Sequence, residues 1–384
     1  MRYLLLIPIL LPVWLVAQGN IEFQAELGSG YEYNPFNAGP NQTMLSEDST
    51  LVSALQSGAF LYQDLRLGWA REGKKSDFSI SARGLYDYFP SLRSANLVRP
   101  GADLSYEYEF QKDKSIYTRL RYRDYQTERG ADPNEVLTIP TSYRTWEGAV
   151  GYAWRPAKDT WLEAEIHARN KQFAAINTSQ LRYNRLGVRG EWKQRFRKKK
   201  KPSSYLITSI DINQRVYTQE RVFDEESEVE ILDEEEDQVL EERLWRYQQL
   251  DVRYRFRKWG NVQLEAGLGG LNRSDVLQDR LGYRQARIFS KLRYSQGPWS
   301  LSWSTSYLYR PYTQFAAVTG EDETLLHTYW RNSILATYNL NDDWQVIMRS
   351  TTVKRWRNEA ERAMNFRPYF NSMVRMGLRW KLGG

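Results

Sequence analysis

Charged side chains recur at every second position along much of the chain, and they are the main candidates for a functional role. In segments 103–109, 119–123, 163–165, 185–189 and 251–257 they alternate with Leu, Ala, Val, Tyr and Phe. Successive side chains of a β-strand point to opposite faces, so this alternation predicts strands with one charged and one apolar face. An apolar outer wall around a wet, charged interior is the pattern of a transmembrane β-barrel.

The first group of predicted interior charges combines acids and bases on adjacent strands. Opposite charges facing each other across strands stabilise a sheet by about 0.2–1 kcal/mol per pair. We expect two such sets of neighbours on adjacent strands: Arg119, Arg121 and Arg123 beside Glu107 and Glu109, and Arg185 and Arg189 beside Glu163 and Glu165.

The second group has more bases than acids. Its members are Arg253, Arg255, Arg257, Arg287, Lys291 and Arg293, and the acids near them are mainly Asp251 and Glu265. Surplus fixed positive charge on a pore wall raises the local concentration of anions. This group predicts a pore lining that favours anionic solutes or an acidic polysaccharide.

Catalysis and cofactor binding have little support in the sequence. The chain contains 0 Cys and 2 His, which excludes disulfide scaffolds, thiolate metal sites and cysteine nucleophiles. A lipid-modifying enzyme would need a nucleophile–base pair on the lipid-facing wall, whereas His167 and His327 have the phase of inward positions. We expect no enzymatic activity, no cofactor and no metal site.

The same alternation defines sixteen strands, which predict an all-β protein: a transmembrane, antiparallel, up-and-down barrel. Short turns alternate with long connections along the chain. The long connections are 35–53, 128–140, 218–243, 272–282, 311–323 and 358–367. An even strand number with short turns on one rim is typical of bacterial outer-membrane barrels, in which that rim and both termini are periplasmic.

Aromatic residues support this assignment. The chain has 26 Tyr, 14 Trp and 14 Phe, although its mean hydropathy is only −0.68. Aromatics near strand ends, such as Trp154, Trp299 and Trp344 at one end and Trp146 and Tyr307 at the other, predict two interfacial girdles. The alternative is a soluble sandwich or propeller, which would not need aromatics sorted to both ends of its apolar face.

The first 19 residues have the features of a signal peptide: Arg2, an apolar run over 3–16, and small residues at Ala17 and Gly19. A retained N-terminal anchor is the alternative. The sequence thus divides into a signal peptide, 1–19, and a barrel, 20–384, placed by this route in the outer membrane of a Gram-negative-type cell.

An acidic segment interrupts the second half of the chain. Net charge is +7, yet residues 224–242, within the long connection 218–243, include 12 acids and no Lys or Arg. One hypothesis is a plug or gate that folds against the basic wall and uses Asp224, Glu225, Glu226, Asp233, Glu234, Glu235, Glu236 and Asp237. A solvated extracellular charge run and a calcium site are the alternatives.

The expected partners follow from this placement. They are outer-membrane lipid and the barrel-insertion machinery. A basic cluster on a short turn, Lys198, Lys199, Lys200 and Lys201, is either solvated or contacts a periplasmic partner. Nucleic-acid binding is not expected, because no recognised module accompanies the cluster.

Segment 30–36, Gly-Tyr-Glu-Tyr-Asn-Pro-Phe, resembles the start of outer-membrane barrels of the "porin 2" kind. Many such barrels accompany exopolysaccharide-export systems, so the resemblance implies a channel or export conduit. The chain departs from the pattern at its end, where Trp380 is followed by Lys-Leu-Gly-Gly instead of closing on an aromatic residue. A plugged barrel that anchors a secretion or surface-organelle complex is the alternative function.

Overall fold

The sixteen predicted strands are present and form a closed barrel. The computed structural model describes residues 19–37, 43–45, 51–53, 55–127, 142–173, 182–198, 201–221, 240–277, 282–316, 324–357 and 368–383. The barrel strands are β1 (Asn20–Tyr33), β4 (Ser57–Glu72), β5 (Ser76–Tyr88), β6 (Leu97–Gln111), β7 (Lys114–Thr127), β8 (Tyr143–Ala157), β9 (Thr160–Phe173), β10 (Tyr183–Lys198), β11 (Lys201–Arg221), β12 (Leu240–Trp259), β13 (Val262–Asp275), β14 (Tyr283–Gln296), β15 (Trp299–Ala316), β16 (Thr324–Asn339), β17 (Trp344–Arg357) and β18 (Tyr369–Leu382). Two short strands, β2 (Thr43–Leu45) and β3 (Leu51–Ser53), pair with each other.

Each barrel strand pairs antiparallel with its neighbours in the chain, and β1 pairs with β18 to close the ring. Closure pairs the backbone N–H and C=O groups of the first and last strands with each other, because a bilayer core offers them no other hydrogen-bond partners. The predicted fold, an up-and-down transmembrane barrel of sixteen strands, is therefore confirmed. Among the described residues, no helix is long and apolar enough to cross a membrane.

The two faces of the wall differ as the alternation predicts. Outward side chains such as Val150 and Leu268 are about 60% exposed (61% and 62%), whereas inward Glu26 and Asp64 are 0% exposed. Apolar side chains exposed all round the barrel would be unfavourable in water but fit a hydrocarbon surrounding.

Aromatic side chains extend this outer face at the strand ends, and Trp154, Trp299 and Trp344 are exposed there as predicted. The ring of Trp380, near the chain's end, lies 5.6 Å from the ring of Phe23 and 6.2 Å from that of Trp344, between centroids. The last strand thus joins the aromatic cluster on its own rim.

Short connections share one rim with Asn20 and Leu382, here called the short-turn rim, and the opposite end is the long-loop rim. Tight turns require left-handed backbone, which Gly260 supplies with φ 58° and Gly297 with φ 55°. The turn between β10 and β11 is also short, because β10 continues to Lys198 and β11 starts at Lys201.

The segment that resembles the "porin 2" start ends β1 at the long-loop rim. Asn34 takes a left-handed φ of 60°, and its Nδ2 donates a 2.8 Å hydrogen bond to the carbonyl oxygen of Phe370 on β18. Phe36 then packs into a buried aromatic cluster with Phe60 and Phe89. The segment ties the first strand to the last and fills the barrel end beside it.

A second contact holds the same seam from inside. The Tyr62 ring lies across the inner wall at Gly28 and Gly377, where a Cβ on Gly28 would come within 2.7 Å of Tyr62 Cε1. Phe289 lies in the same way across Gly267. Glycine at these positions lets a ring lie flat against the neighbouring strand.

Two fully buried carboxylates complete the seam. Glu26 Oε2 accepts hydrogen bonds from Arg379 Nη2 at 2.7 Å and Nε at 3.1 Å, and Tyr62 donates to Glu26 Oε1 at 3.0 Å. Asp64 on β4 accepts two bonds from Arg83, at 2.8 and 2.5 Å. Ion pairs and rings therefore join β18, β1, β4 and β5.

The first prediction concerns the glycine contact. Gly377→Val is expected to destabilise the folded barrel by about 1–3 kcal/mol, because the Tyr62 ring cannot stay in place. Gly84→Val is the matched control, since nothing lies within 4 Å of a Cβ there. The readout is urea unfolding followed by heat-modifiable gel mobility. Equal loss in both variants would contradict the assigned role of the Tyr62 contact.

The second prediction concerns the seam carboxylate. Glu26→Ala is expected to cost about 3–5 kcal/mol, because it leaves Arg379 buried without its counter-charge. Glu107→Ala is the control, since Glu107 bonds a neutral hydroxyl, that of Ser115. The same unfolding assay applies. A loss no larger than the control's would mean that the seam does not depend on the ion pair.

Candidate functional site

The inner wall of the barrel is electrostatically asymmetric. Strands β14 to β18, five neighbours in the ring, contain no Asp or Glu within their bounds. Their inward side chains include Arg287, Lys291, Arg293, Arg310, Arg331, Arg349, Arg355, Arg375 and Arg379. We call this part of the wall, β14 to β18, the acid-free arc.

The remaining arc carries the interior acids, and most of the ion pairs lie there. Arg121 Nε contacts Asp103 Oδ1 at 2.8 Å, and Arg169 Nη2 contacts Glu147 Oε1 at 2.6 Å. This part of the wall is mixed in charge, so the lumen has a cationic side and a largely compensated side.

Arg119 and Arg121 lie on the strand next to Glu107 and Glu109, as predicted, but they form their ion pairs with other acids. The register places Ser105 opposite Arg119 and Asp103 opposite Arg121, and Arg119 reaches Glu165 instead, at 3.4 Å. Glu107 and Glu109 form other hydrogen bonds. Glu107 accepts one from Ser115 Oγ at 2.5 Å, and Glu109 accepts one from the Asp113 backbone N at 3.2 Å.

In the second predicted set one pair is placed as expected, Arg189 opposite Glu165, although both arginines form their ion pairs with other acids. Arg169 lies opposite Arg185, and Glu165 lies opposite Arg189. Arg185 Nη2 contacts Asp211 Oδ2 at 3.2 Å, while Arg189 Nη2 contacts Glu191 Oε2 at 3.5 Å. Glu163 lies opposite Glu191. All these side chains are on the inner wall, as predicted.

The basic group on β12 to β14 is partly compensated. Arg253 contacts Glu191 at 3.1 Å, Arg255 contacts Glu265 at 2.7 Å, and Arg287 contacts Asp251 at 2.6 Å. Lys291 lies opposite Glu265 and Arg293 opposite Gln263. In the described part of the chain neither has a carboxylate oxygen within 4.0 Å, so the surplus charge is concentrated on β14.

Cations stack on aromatic rings in the long-loop half of the lumen. Each such contact stabilises by about 0.5–2 kcal/mol, depending on desolvation. The stacks, here called the cation–aromatic belt, are Lys171 on Tyr143, Arg215 on Tyr183 and Tyr247, Arg273 on Trp245 and Tyr283, Arg310 on Tyr283 and Tyr329, Arg355 on Tyr369, and Arg375 on Tyr62.

Burial separates the belt from the rest of the lumen. Arg273 and Arg355 are 2% and 4% exposed, whereas the side chains of Arg119 and Arg121 are 55% and 54% exposed. The wall is therefore packed in the long-loop half and open in the middle of the barrel. The alternation indicates inward tyrosines such as Tyr62 and Tyr183 that fill space and pair with arginine, but it does not say which cation stacks on which ring.

Both histidines point into the barrel. His167 Nε2 lies 3.3 Å from Asp211 Oδ2, and His327, 1% exposed, packs edge-on against Tyr312 and Tyr329. Neither is on the lipid-facing wall, where lipid chemistry would need it. In the described segments no group of three or more His, Cys, Asp or Glu could hold a metal ion.

Several predicted features lie outside the described residues. They are the signal peptide up to residue 18, the acidic segment with its eight named carboxylates, the side chains of the lysines at 198–201, and the side chain of Arg257. The plug, periplasmic-partner and signal-peptide assignments stay predictions.

No protein-family model matches the sequence, and no curated protein matches it significantly. The "porin 2" assignment therefore stays a prediction. Solved structures match the fold. OccAB1 of Acinetobacter baumannii is 8% identical with a TM-score of 0.51, over 95% of this chain and 97% of that one.

Two further structures are similar. OpdQ of Pseudomonas aeruginosa is 8% identical with a TM-score of 0.48, over 95% of this chain and 98% of that one. The outer membrane channel DcaP of Acinetobacter baumannii is 8% identical with a TM-score of 0.47, at the same coverage. At such low identity the likeness concerns the fold alone, a barrel of the porin type.

Proposed function

We propose that this barrel lies in a bacterial outer membrane and passes small polar solutes, with a preference for anions. The observation that carries the proposal is the acid-free arc, in which five neighbouring strands contribute cations and no carboxylate to the lumen. In the part of the chain that the structure describes, Lys291 and Arg293 have no carboxylate oxygen within 4.0 Å.

The mechanism is diffusion past fixed charges and needs no cofactor. Barrels of sixteen strands are wide enough to leave an aqueous channel. Low-dielectric walls focus the field of the fixed cations, so anions concentrate in the lumen while cations are depleted. The hydroxyls of Ser302 and Ser304, opposite Arg293 and Lys291, add neutral hydrogen-bonding groups beside these charges.

The orientation proposed here follows the rule for bacterial barrels. The short-turn rim and both termini face the periplasm, and the long loops face outside. Export through a signal peptide and insertion by the barrel-assembly machinery belong to the same proposal.

A closed barrel with an anchoring or assembly role is the second candidate, and the cation–aromatic belt favours it. Side chains as buried as Arg273 and Tyr329 (each 2% exposed) leave little open path in that half of the lumen. Polysaccharide export has weaker support. Tyr62, Tyr117 and Tyr183 are 3%, 5% and 2% exposed and so offer a sugar chain little ring surface.

The third prediction tests the anion preference by flux. The double variant Lys291→Gln/Arg293→Gln is expected to lower the chloride-to-potassium permeability ratio of proteoliposomes at least about fivefold, since one nearby charge in water is already worth about 1 kcal/mol and the variant removes two. Lys74→Gln, on an exposed short turn, is the matched control and should leave the ratio unchanged. An unchanged permeability ratio in the double variant would mean that the acid-free arc does not determine the ion selectivity. No flux from correctly folded wild type would favour the closed barrel.

A further inference from the structure

A polar cavity lies inside the barrel wall between β10 and β16, on the long-loop side of Lys291. Its volume is about 270 Å³, equivalent to about nine water molecules of liquid. Its charged lining consists of Arg185, Arg215, Arg287, Arg310, Arg331 and Asp251. Five arginines and one carboxylate therefore share a space the size of a small solute.

Arg310 is the most unusual of these residues. It is 4% exposed, and its Nε and Nη2 donate to Gln285 Oε1 at 3.1 and 2.8 Å. Its Nη1 lies 3.5 Å from the Tyr329 hydroxyl. Within the described ranges no carboxylate oxygen comes within 4.0 Å of it. A guanidinium buried to this degree is bonded to neutral acceptors.

Burying the Arg310 guanidinium in this way is energetically unfavourable unless an anion binds beside it. Burying a charge without an opposite partner carries a desolvation penalty that neutral acceptors offset only in part. The Tyr283 and Tyr329 rings, with centroids 4.5 and 5.1 Å from the guanidinium carbon, hold it in place. The guanidinium is thus fixed beside a cavity and short of negative charge.

The other charged groups that line the cavity do not supply the negative charge that Arg310 lacks. Among the described residues Asp251 is the one acid of the lining, and it already pairs with Arg287 at 2.6 Å. Arg185 shares Asp211 with Asn213, and its buried Nε has no hydrogen-bond partner among the described residues. Beside the cavity, Arg310 therefore keeps its charge without a carboxylate and Arg185 keeps an unused donor.

We propose that this cavity is a binding site for a small dianion that carries carboxylate or phosphate groups, with Arg310 as its main anchor. Guanidinium binds both groups through paired hydrogen bonds, which point charges such as Lys cannot reproduce. The inference deepens the proposed channel function by naming the chemistry of its solute.

The first test uses the full-length barrel folded in detergent and isothermal titration calorimetry. Succinate and inorganic phosphate are the probes, and glucose is the neutral control. We expect saturable heat with at least one dianion, weakening as ionic strength rises, and none with glucose. The bound dianion should also raise the unfolding temperature. Saturable binding of glucose alone, or of no probe, would overturn the site.

The second test uses variants. Arg310→Gln is expected to weaken dianion binding at least about tenfold, the usual effect of losing a charged hydrogen-bonding group. Arg66→Gln is the matched control, because it removes an inward arginine while Asp64 keeps its bonds to Arg83. Equal weakening in both would reduce the effect to general electrostatics and overturn the site.

Arg310→Lys keeps the charge if Arg310→Gln does not fold, and it should still lose affinity because the paired geometry is gone. Wild-type affinity in that lysine variant would overturn the role of Arg310. Because calorimetry does not depend on conduction, the two proposals fail separately. Anion flux without dianion binding would overturn the site alone, and binding without any flux would overturn the channel alone.

Discussion

Closure of the hydrogen-bond ladder between β1 and β18 is the constraint on which the rest of the structure depends. A bilayer offers no partner for an open strand edge, so the barrel is stable in lipid only as a ring. The chain reinforces this joint from inside. The Tyr62 ring lies against glycines of both strands, and Glu26 on β1 bonds Arg379 on β18. Asn34 adds a bond at the long-loop rim.

Charge inside the closed ring is stabilised in two different ways. On the mixed arc, carboxylates pair with arginines, as Asp64 does with Arg83. The strands of the acid-free arc carry no carboxylates of their own, and Arg310 there stacks on the rings of Tyr283 and Tyr329. Stacking lowers the cost of burying a cation without neutralising it. The lumen therefore keeps a positive side, which is the physical basis of the proposed anion preference.

The alternation of side chains was enough to predict the strands and the faces of their residues, because its period is that of the pleat. It could not predict the pairs. Arg119 and Glu107 are close in the hairpin, but the register puts Ser105 opposite Arg119, since register depends on turn geometry. The stacking partners in the belt could not be predicted either. Arg310 and Tyr283 are distant in sequence and meet only through the β14–β15 pairing.

The reversal potential of the unmodified protein shows whether the fixed charge of the lumen favours anions. Single barrels in a planar bilayer, under a potassium chloride gradient, would give the selectivity without any substitution. A lumen lined by surplus cations gives a steady conductance whose reversal potential has the sign of chloride selectivity and moves toward zero at high salt, as screening weakens the fixed charges. A reversal potential with the sign of potassium selectivity would exclude the proposed anion preference.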